Sequence, residues 1–325
     1  MTALHNIKIT LIGGSKRFGS GKVINELKNY MSKHTREFYF IETQGAKLKV
    51  ISNIFKIPRS HQILFQPSIC FPAFMRDLVI MFLLRTFFRS ISIIILVDTQ
   101  FRNPLMKSTL IRKIFFNNMT VFSPAQPTGR VQNLERISPY FNHELLQRAI
   151  VAHGSKQIGL VHLGYLQKLK GIDHFSQIVE QSKIDILDAF GIGDLNQIEH
   201  ELISKRIVLI HAPKVTDIQN SILKLSEKFD LVYLFCSEND FAPLMVLEAG
   251  YWGVPIVVLR NTKAHAILSR FLPHNCFIAI SDINDLWDSK AEITLCSSEM
   301  HAFIDSVIEN KFTHQVCQVL EGKHI

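Results

Sequence analysis

DLVYLFCSENDFAPLMVLEAGYWGVPIVVL, residues 230–259, is the stretch that decides the fold. DLVYLF (230–235) is mostly apolar and β-prone, which predicts a buried strand. A polar loop follows, and LMVLEAGYWG (244–253) then carries apolar residues at helical spacing. Pro243 stands where that helix begins, a place where the missing N–H costs nothing. PIVVL (255–259) is again a strand. Strand, helix and strand in so short a span make a βαβ unit, and its two strands must be parallel.

The alternation extends outward. IGLVHLG (158–164), KIDILDAFGIG (183–193) and RIVLIHA (206–212) read as strands. GIDHFSQIVEQSK, LNQIEHELISK and IQNSILKLSEKF read as the helices between them. This order predicts a doubly wound α/β domain. The first half opens with IKITLIGG (7–14) and a helix from Val23 to Ser32, followed by strands REFYFI, QILFQP, SIIILVD (92–98) and MTVFSP (119–124). SPYFNHELLQRAIVAHGSKQ (138–157) breaks the pattern and reads as a passage between domains. The expectation is two Rossmann-like α/β domains, residues 1–150 and 151–325, each about the usual 150 residues. A final helix, Ser298 to Leu320, is long enough to pack back across the junction.

Composition narrows the function classes. Residues 1–150 hold 21 Lys or Arg against 7 Asp or Glu, and residues 151–325 hold 15 against 21. The first half also carries 15 of the 24 phenylalanines. Basic charge with exposed aromatics suits an anionic membrane surface better than nucleic acid. A basic solvated face around a Phe-rich core would give the same composition. The most apolar stretch, Asp77 to Val97, is interrupted by Arg85 and Arg89, so it is not read as a membrane span. MTALHNIKITLIGG enters a strand directly and does not read as a signal peptide, which suggests a cytoplasmic chain. Cys70, Cys236, Cys276, Cys296 and Cys317 are scattered without a CxxC pair, and the histidines show no ligand spacing. Reduced thiols, no cofactor and no metal are expected.

GGSKRFGSGK (13–22) is not a P-loop, because Lys16 stands where glycine is needed and Val23 where Ser or Thr is needed. It remains a glycine turn, either plain or approached by a ligand. The loop before residue 244 is richer in chemistry. Free amides of that helix's first turn would open into the crevice at the carboxyl ends of the strands, where a diphosphate binds readily. Asp240 lies in the loop and Glu248 in the second turn, placed for hydroxyls of a nucleoside and a sugar. Asp240 as a helix cap with Glu248 merely exposed is the alternative.

LEAGYWGVPIVV resembles the E-A-x-x-x-G-x-P-V-V signature of the family-four glycosyltransferases of the GT-B fold. In that family an acidic residue precedes the signature glutamate by eight positions, here Asp240 before Glu248. GYLQKLKGID (164–173) is similar to the family's G-R-L-x-x-x-K-G, matching at Gly164, Lys170 and Gly171, with Tyr165 in place of arginine. DILDAFGIGD (185–194) resembles its strand ending in a G-x-G turn.

The resemblance implies two Rossmann-like domains facing a central cleft and a sugar transfer from a nucleotide sugar with retained configuration. The acceptor, a glycan or lipid-linked sugar of a bacterial surface polysaccharide, is expected on the N-terminal domain at the inner face of the cell membrane. Donor contacts are implied for Gly164, Tyr165, Lys170, Asp240, Leu244, Met245 and Glu248. Lys170 and the helix amides near Leu244 would meet the leaving diphosphate without a metal, Glu248 the ribose and Asp240 the donor sugar. Many relatives carry a catalytic-side histidine after an N-terminal strand; here that strand ends LVDTQFR (96–102), offering Asp98. A nucleotide-sugar epimerase and a non-catalytic nucleotide-sugar-binding subunit are the rival readings.

Overall fold

The computed structural model describes residues 7–14, 20–43, 47–67, 73–94, 108–124, 133–139, 141, 146, 148, 157–182, 188–198, 200–240, 243–287, 290–309 and 312–321. Two compact units divide the chain, one made of residues 1–140 with 310–325 and the other of residues 141–309. Compared with the sequence reading, the division falls ten residues earlier, and the C-terminal segment belongs to the first unit.

The first unit holds β1 (Lys8–Gly13), β2 (Glu37–Glu42), β3 (Gln62–Phe65), β4 (Ile91–Ile94), β5 (Thr120–Ser123) and β6 (Leu134–Arg136). They form one parallel sheet in the order β2-β1-β3-β4-β5-β6. Among the described residues its helices are α1 (Ser20–His34), α2 (Lys47–Phe55), α3 (Phe74–Phe87), α4 (Thr109–Phe116) and, from the far C-terminus, α10 (Phe312–Leu320). Right-handed crossovers put α2, α3 and α4 on one face of the sheet and α1 on the other. Phe312, Val316 and Cys317 of α10 share a core with Leu11, Ile24 and Leu27 on the α1 side. Arg85 of α3 donates to the carbonyls of Lys113, Ile114 and Asn117 at 2.6–2.9 Å. That is the C-terminal end of α4, where carbonyls need donors and the helix dipole favours a cation.

The second unit holds β7 (Gln157–Leu163), β8 (Asp188–Gly193), β9 (Ile207–His211), β10 (Phe229–Leu234), β11 (Ile256–Leu259) and β12 (Ile278–Ile280). Its parallel order is β12-β11-β10-β7-β8-β9, with the reversal of direction between β7 and β10. The helices among its described residues are α5 (Ile172–Gln181), α6 (Val215–Ser226), α7 (Leu244–Tyr251), α8 (Lys263–Phe271) and α9 (Lys290–Glu309). Strands β7, β8 and β10 are buried almost throughout, as strands covered on both faces must be.

The structure differs from the sequence reading in three respects. LNQIEHELISK forms two short 3-10 turns, Leu195–Gln197 and His200–Leu202, in place of a helix. The Leu195 amide donates to His211 Nδ1 and the Asn196 amide to Asp194 Oδ1, so local partners satisfy the groups that would start a helix. Within the stretch read as one C-terminal helix, the described helices are α9, to Glu309, and α10, from Phe312. The short strands β6 and β12 were not anticipated.

Helix α7 meets α9 at Gly250. A Cβ there would lie 2.5 Å from Met300 Cγ and 3.1 Å from Ile304 Cδ1, so the glycine sets the spacing of the two helices. Gly250→Leu is expected to cost about 1–3 kcal/mol of stability by overpacking. Thermal and urea unfolding measure it, and a variant as stable as the parent would show that α9 yields freely.

Candidate active site

The residues singled out from the sequence gather at the carboxyl ends of β7 and β10, the two strands that flank the reversal in strand order. In an open α/β sheet the connecting helices leave to opposite faces at that point and a crevice opens between them.

Glycine packing builds its floor. Gly171 has φ 85°, a left-handed conformation that caps the 3-10 turn Lys168–Lys170 and begins α5. A Cβ on it would run into the Cys236 carbonyl. The turn after β7 is thus pressed against the chain leaving β10, which puts Lys170 beside Asp240. One strand over, a Cβ on Gly193 would collide with the Gly164 carbonyl. Gly164 itself has φ 95° and its amide donates to the Ile192 carbonyl at 2.9 Å. The G-x-G at the end of β8 is therefore a steric requirement for the turn after β7, which carries half-exposed Tyr165. Met245 in turn lies against Gly164, whose Cβ would stand 3.4 Å from Met245 Cε.

Pro243 is the N-cap of α7, and Leu244 and Met245 fill its first turn, where amides have no intrahelical acceptor. The helix ends at Gly253, φ 76°, after fully buried Trp252. The Pro255 carbonyl then accepts the Tyr233 amide at 2.9 Å, entering β11. Of the glycine-proline signature, Gly253 and Pro255 serve the turn, while Glu248 is half-buried near the Tyr233 phenol. That phenol is pushed far up by burial, with the carboxylates of Asp240 and Glu248 adding to the shift.

Lys170 forms an ion pair with Asp240. Glu238, the other acid of the loop, is engaged elsewhere, with Lys263 at 2.7 Å and His174 at 3.6 Å. Gly164, Tyr165, Lys170, Asp240, Leu244, Met245 and Glu248 thus all stand at one end of the sheet. Asp98 lies outside the described residues, as does most of the GGSKRFGSGK turn. Arg260, a further cation of this unit, donates to the Ala279 carbonyl at 2.7 Å.

His162 was missed as a site residue, although a histidine inside the apolar run IGLVHLG is a visible oddity. Its ring is fully buried in β7 beside Phe175, 5.5 Å between centroids. Neither ring nitrogen reaches a partner in good hydrogen-bond geometry, and the Tyr165 backbone is the polar group that approaches the ring. Burial depresses its pKa to about 4, against the smaller opposing pull of the Tyr165 backbone and Asp240. The folded state therefore keeps His162 neutral where the unfolded chain protonates it.

In the first unit the corresponding reversal lies between β1 and β3. There the Gly14 amide donates to Gln66 Oε1 at 3.3 Å. Arg76 at the start of α3 donates to the Thr43 carbonyl at 3.0 Å and pairs with fully buried Asp77 at 2.6 Å. Polar groups thus converge at that crevice as well.

The sequence matches no protein family, and it matches no curated protein. Solved structures are similar to it over nearly its whole length. Anabaena HepE, in complex with UDP-glucose, superposes with TM-score 0.63 at 11% identity, over 98% of this chain and 100% of that one. The lipopolysaccharide outer core galactosyltransferase WaaB, in its apo form, gives TM-score 0.62 at 10% identity, over 97% and 99%. The N-terminal domain of Candida albicans trehalose-6-phosphate phosphatase gives TM-score 0.56 at 9% identity, over 96% and 98%. The fold is that of the GT-B glycosyltransferases, and at such identities the likeness is one of fold.

The His162 pKa fixes a pH window. Its unfolded value, about 6.5, lies above the folded one, so stability is intact above pH ~6.5 and declines as pH falls toward 4. The loss attributable to this one group is about 3 kcal/mol at the acid end. Denaturation curves of the parent and His162→Phe between pH 7 and 4 check it, and equal acid slopes would show that the ring does not set the decline.

Proposed function

We propose that the protein is a glycosyltransferase that moves a hexosyl group from a nucleotide sugar to a glycan or lipid-linked acceptor. The observation that carries this reading is the placement of Lys170, beside Asp240 and the first turn of α7, at the strand reversal of the second unit. A diphosphate seated there would receive one cation and two free amide donors, an arrangement suited to a leaving group whose charge grows as the glycosidic bond breaks. The reading needs no metal ion, because those donors supply the stabilisation. Glu248 takes the ribose hydroxyls and Asp240 those of the transferred sugar. Transfer proceeds with retained configuration, as the family-four resemblance implies. Polar groups at Gly14, Gln66 and Arg76 support an acceptor held by the first unit. The HepE structure with UDP-glucose and the WaaB galactosyltransferase support a nucleotide-sugar donor. Synthesis of a bacterial surface polysaccharide at the inner face of the membrane is the corresponding setting.

Asp240 has a second consequence. Asp240 pairs with Lys170, so a diphosphate taking up that cation would compete with a carboxylate. Asp240→Asn is expected to tighten binding of a bare nucleoside diphosphate by roughly 2- to 5-fold, the scale of a partly exposed ion pair, while lowering turnover of the nucleotide sugar.

Incubation with UDP-, GDP- and ADP-sugars, followed by nucleoside diphosphate release, tests the reading. Slow release with the sugar recovered as hydrolysed or transferred product supports it. A free epimer, or tight binding without any turnover, would replace it with an epimerase or a binding subunit; Tyr165, in the family's arginine position, is the residue that favours the last. With an active donor in hand, Lys170→Ala should reduce kcat about 100- to 1000-fold with a smaller change in donor affinity. Glu248→Gln should act mainly on KM, since the ribose is held alike in ground and transition states. Undiminished turnover in Lys170→Ala would end this mechanism.

A further inference from the structure

We infer that the outer surface of the α2/α3/α4 layer is an anionic-lipid docking face. The inference deepens the membrane setting proposed above and rests on it for its biological sense, but its physical basis is separate from the donor site. Met75, Val79 and Phe82 occupy positions i, i+4 and i+7 of α3, which places them on one helix face. They point away from the sheet, with exposures of 59%, 43% and 65%. Phe55, at the end of α2, is 59% exposed and meets Phe87 of α3 edge to face at 5.4 Å between centroids. Leu110 on α4 is 69% exposed. Of the large apolar side chains exposed among the described residues, more than half thus belong to this one layer. Single exposed apolar residues are ordinary, but a cluster of aromatics and long aliphatics on one helical layer is not.

The charge around the cluster selects the partner. Between Glu42 and Glu135 the sequence holds twelve Lys or Arg and only two acids, Asp77 and Asp98. Asp77 is fully buried against Arg76, so it does not offset the surface charge. Lys56, Arg59, Arg89 and Lys113 are exposed, and α2 and α3 both end at the edge of the layer that carries Lys56, Arg59 and Arg89. A second copy of this chain would set these cations against their own kind. An anionic bilayer instead offers headgroups to the cations and an acyl boundary to the phenylalanines. Arg85, pinned to the end of α4, keeps two of the three helices in register, so the face is built before it meets the lipid.

Sedimentation of the full chain with vesicles of phosphatidylcholine alone, and mixed with phosphatidylglycerol, tests the face. The parent should partition onto the mixed vesicles at low salt, weakly onto the neutral ones, and less at high salt. Phe82→Ser combined with Met75→Ser should weaken partitioning by about tenfold or more. Lys56→Glu with Arg89→Glu should weaken it at least about fivefold at low salt, and less at high salt. Failure of the parent to bind mixed vesicles, or equal binding by parent and both variants, overturns the inference. So does a parent that is dimeric, is made monomeric by the Phe82 and Met75 changes, and binds vesicles unaltered. Thermal shift with nucleoside diphosphates is run on every variant and should be unchanged. Vesicle binding without donor turnover would therefore remove the transferase reading alone, and turnover without vesicle binding would remove this face alone.

Discussion

The second unit depends on two places where backbone touches backbone. Gly171 lies against the Cys236 carbonyl, and Gly193 lies against the Gly164 carbonyl. Neither contact leaves room for a methyl group, so the turns after β7, β8 and β10 are locked together by the absence of side chains. Each contact contributes little energy by itself. Their importance is geometric, since they fix where Lys170, Tyr165 and Asp240 stand relative to the first turn of α7. A site assembled from three separate strand ends needs such a constraint, because loops left free would order only when ligand bound and would weaken its binding.

Beneath this rigid rim lies a polar group without a well-formed hydrogen bond. His162 sits in the strand that carries the site, near Lys170 and Asp240, and burial keeps it uncharged. A protonated ring there would add a cation near the Lys170–Asp240 ion pair, and burial prevents it.

The fold was legible wherever strands are covered on both faces, because such strands read as uninterrupted apolar runs. IGLVHLG and DLVYLF are of this kind, and each forms a strand. RIVLIHA forms a strand as well, but it is the edge strand β9 and leaves Val208 exposed. Legibility failed where local hydrogen bonds outcompeted a pattern. LNQIEHELISK has helical spacing, yet Asp194 and His211 capture its first amides. The three-residue strands β6 and β12 are too short to carry a period at all. At the site, spacing singled out Asp240 and Glu248, and the resemblance added Lys170. Glu238, two residues before Asp240, differs from it in partner: Asp240 pairs with Lys170, and Glu238 with Lys263 and His174. His162 escaped notice because a motif search asks for clustered ligands, whereas its peculiarity is isolation.

Charge asymmetry along the chain takes on a physical sense once the elements are in place. Asp240 and Glu248, for which hydroxyl contacts are proposed, lie in the half that has an acidic excess. Between Glu42 and Glu135 the sequence is nearly stripped of acids, and the one described acid there, Asp77, is buried as the partner of Arg76. Such depletion has no use in folding, because an exposed Asp or Glu on a solvated helix face costs little and would relieve repulsion among so many cations. Exposed phenylalanines on the same layer are likewise of no use to a free surface in water. Repulsion and apolar exposure are both unfavourable in solvent, and an anionic bilayer would relieve both. Their coincidence on the α2/α3/α4 layer is the observation on which the proposed lipid-docking face rests.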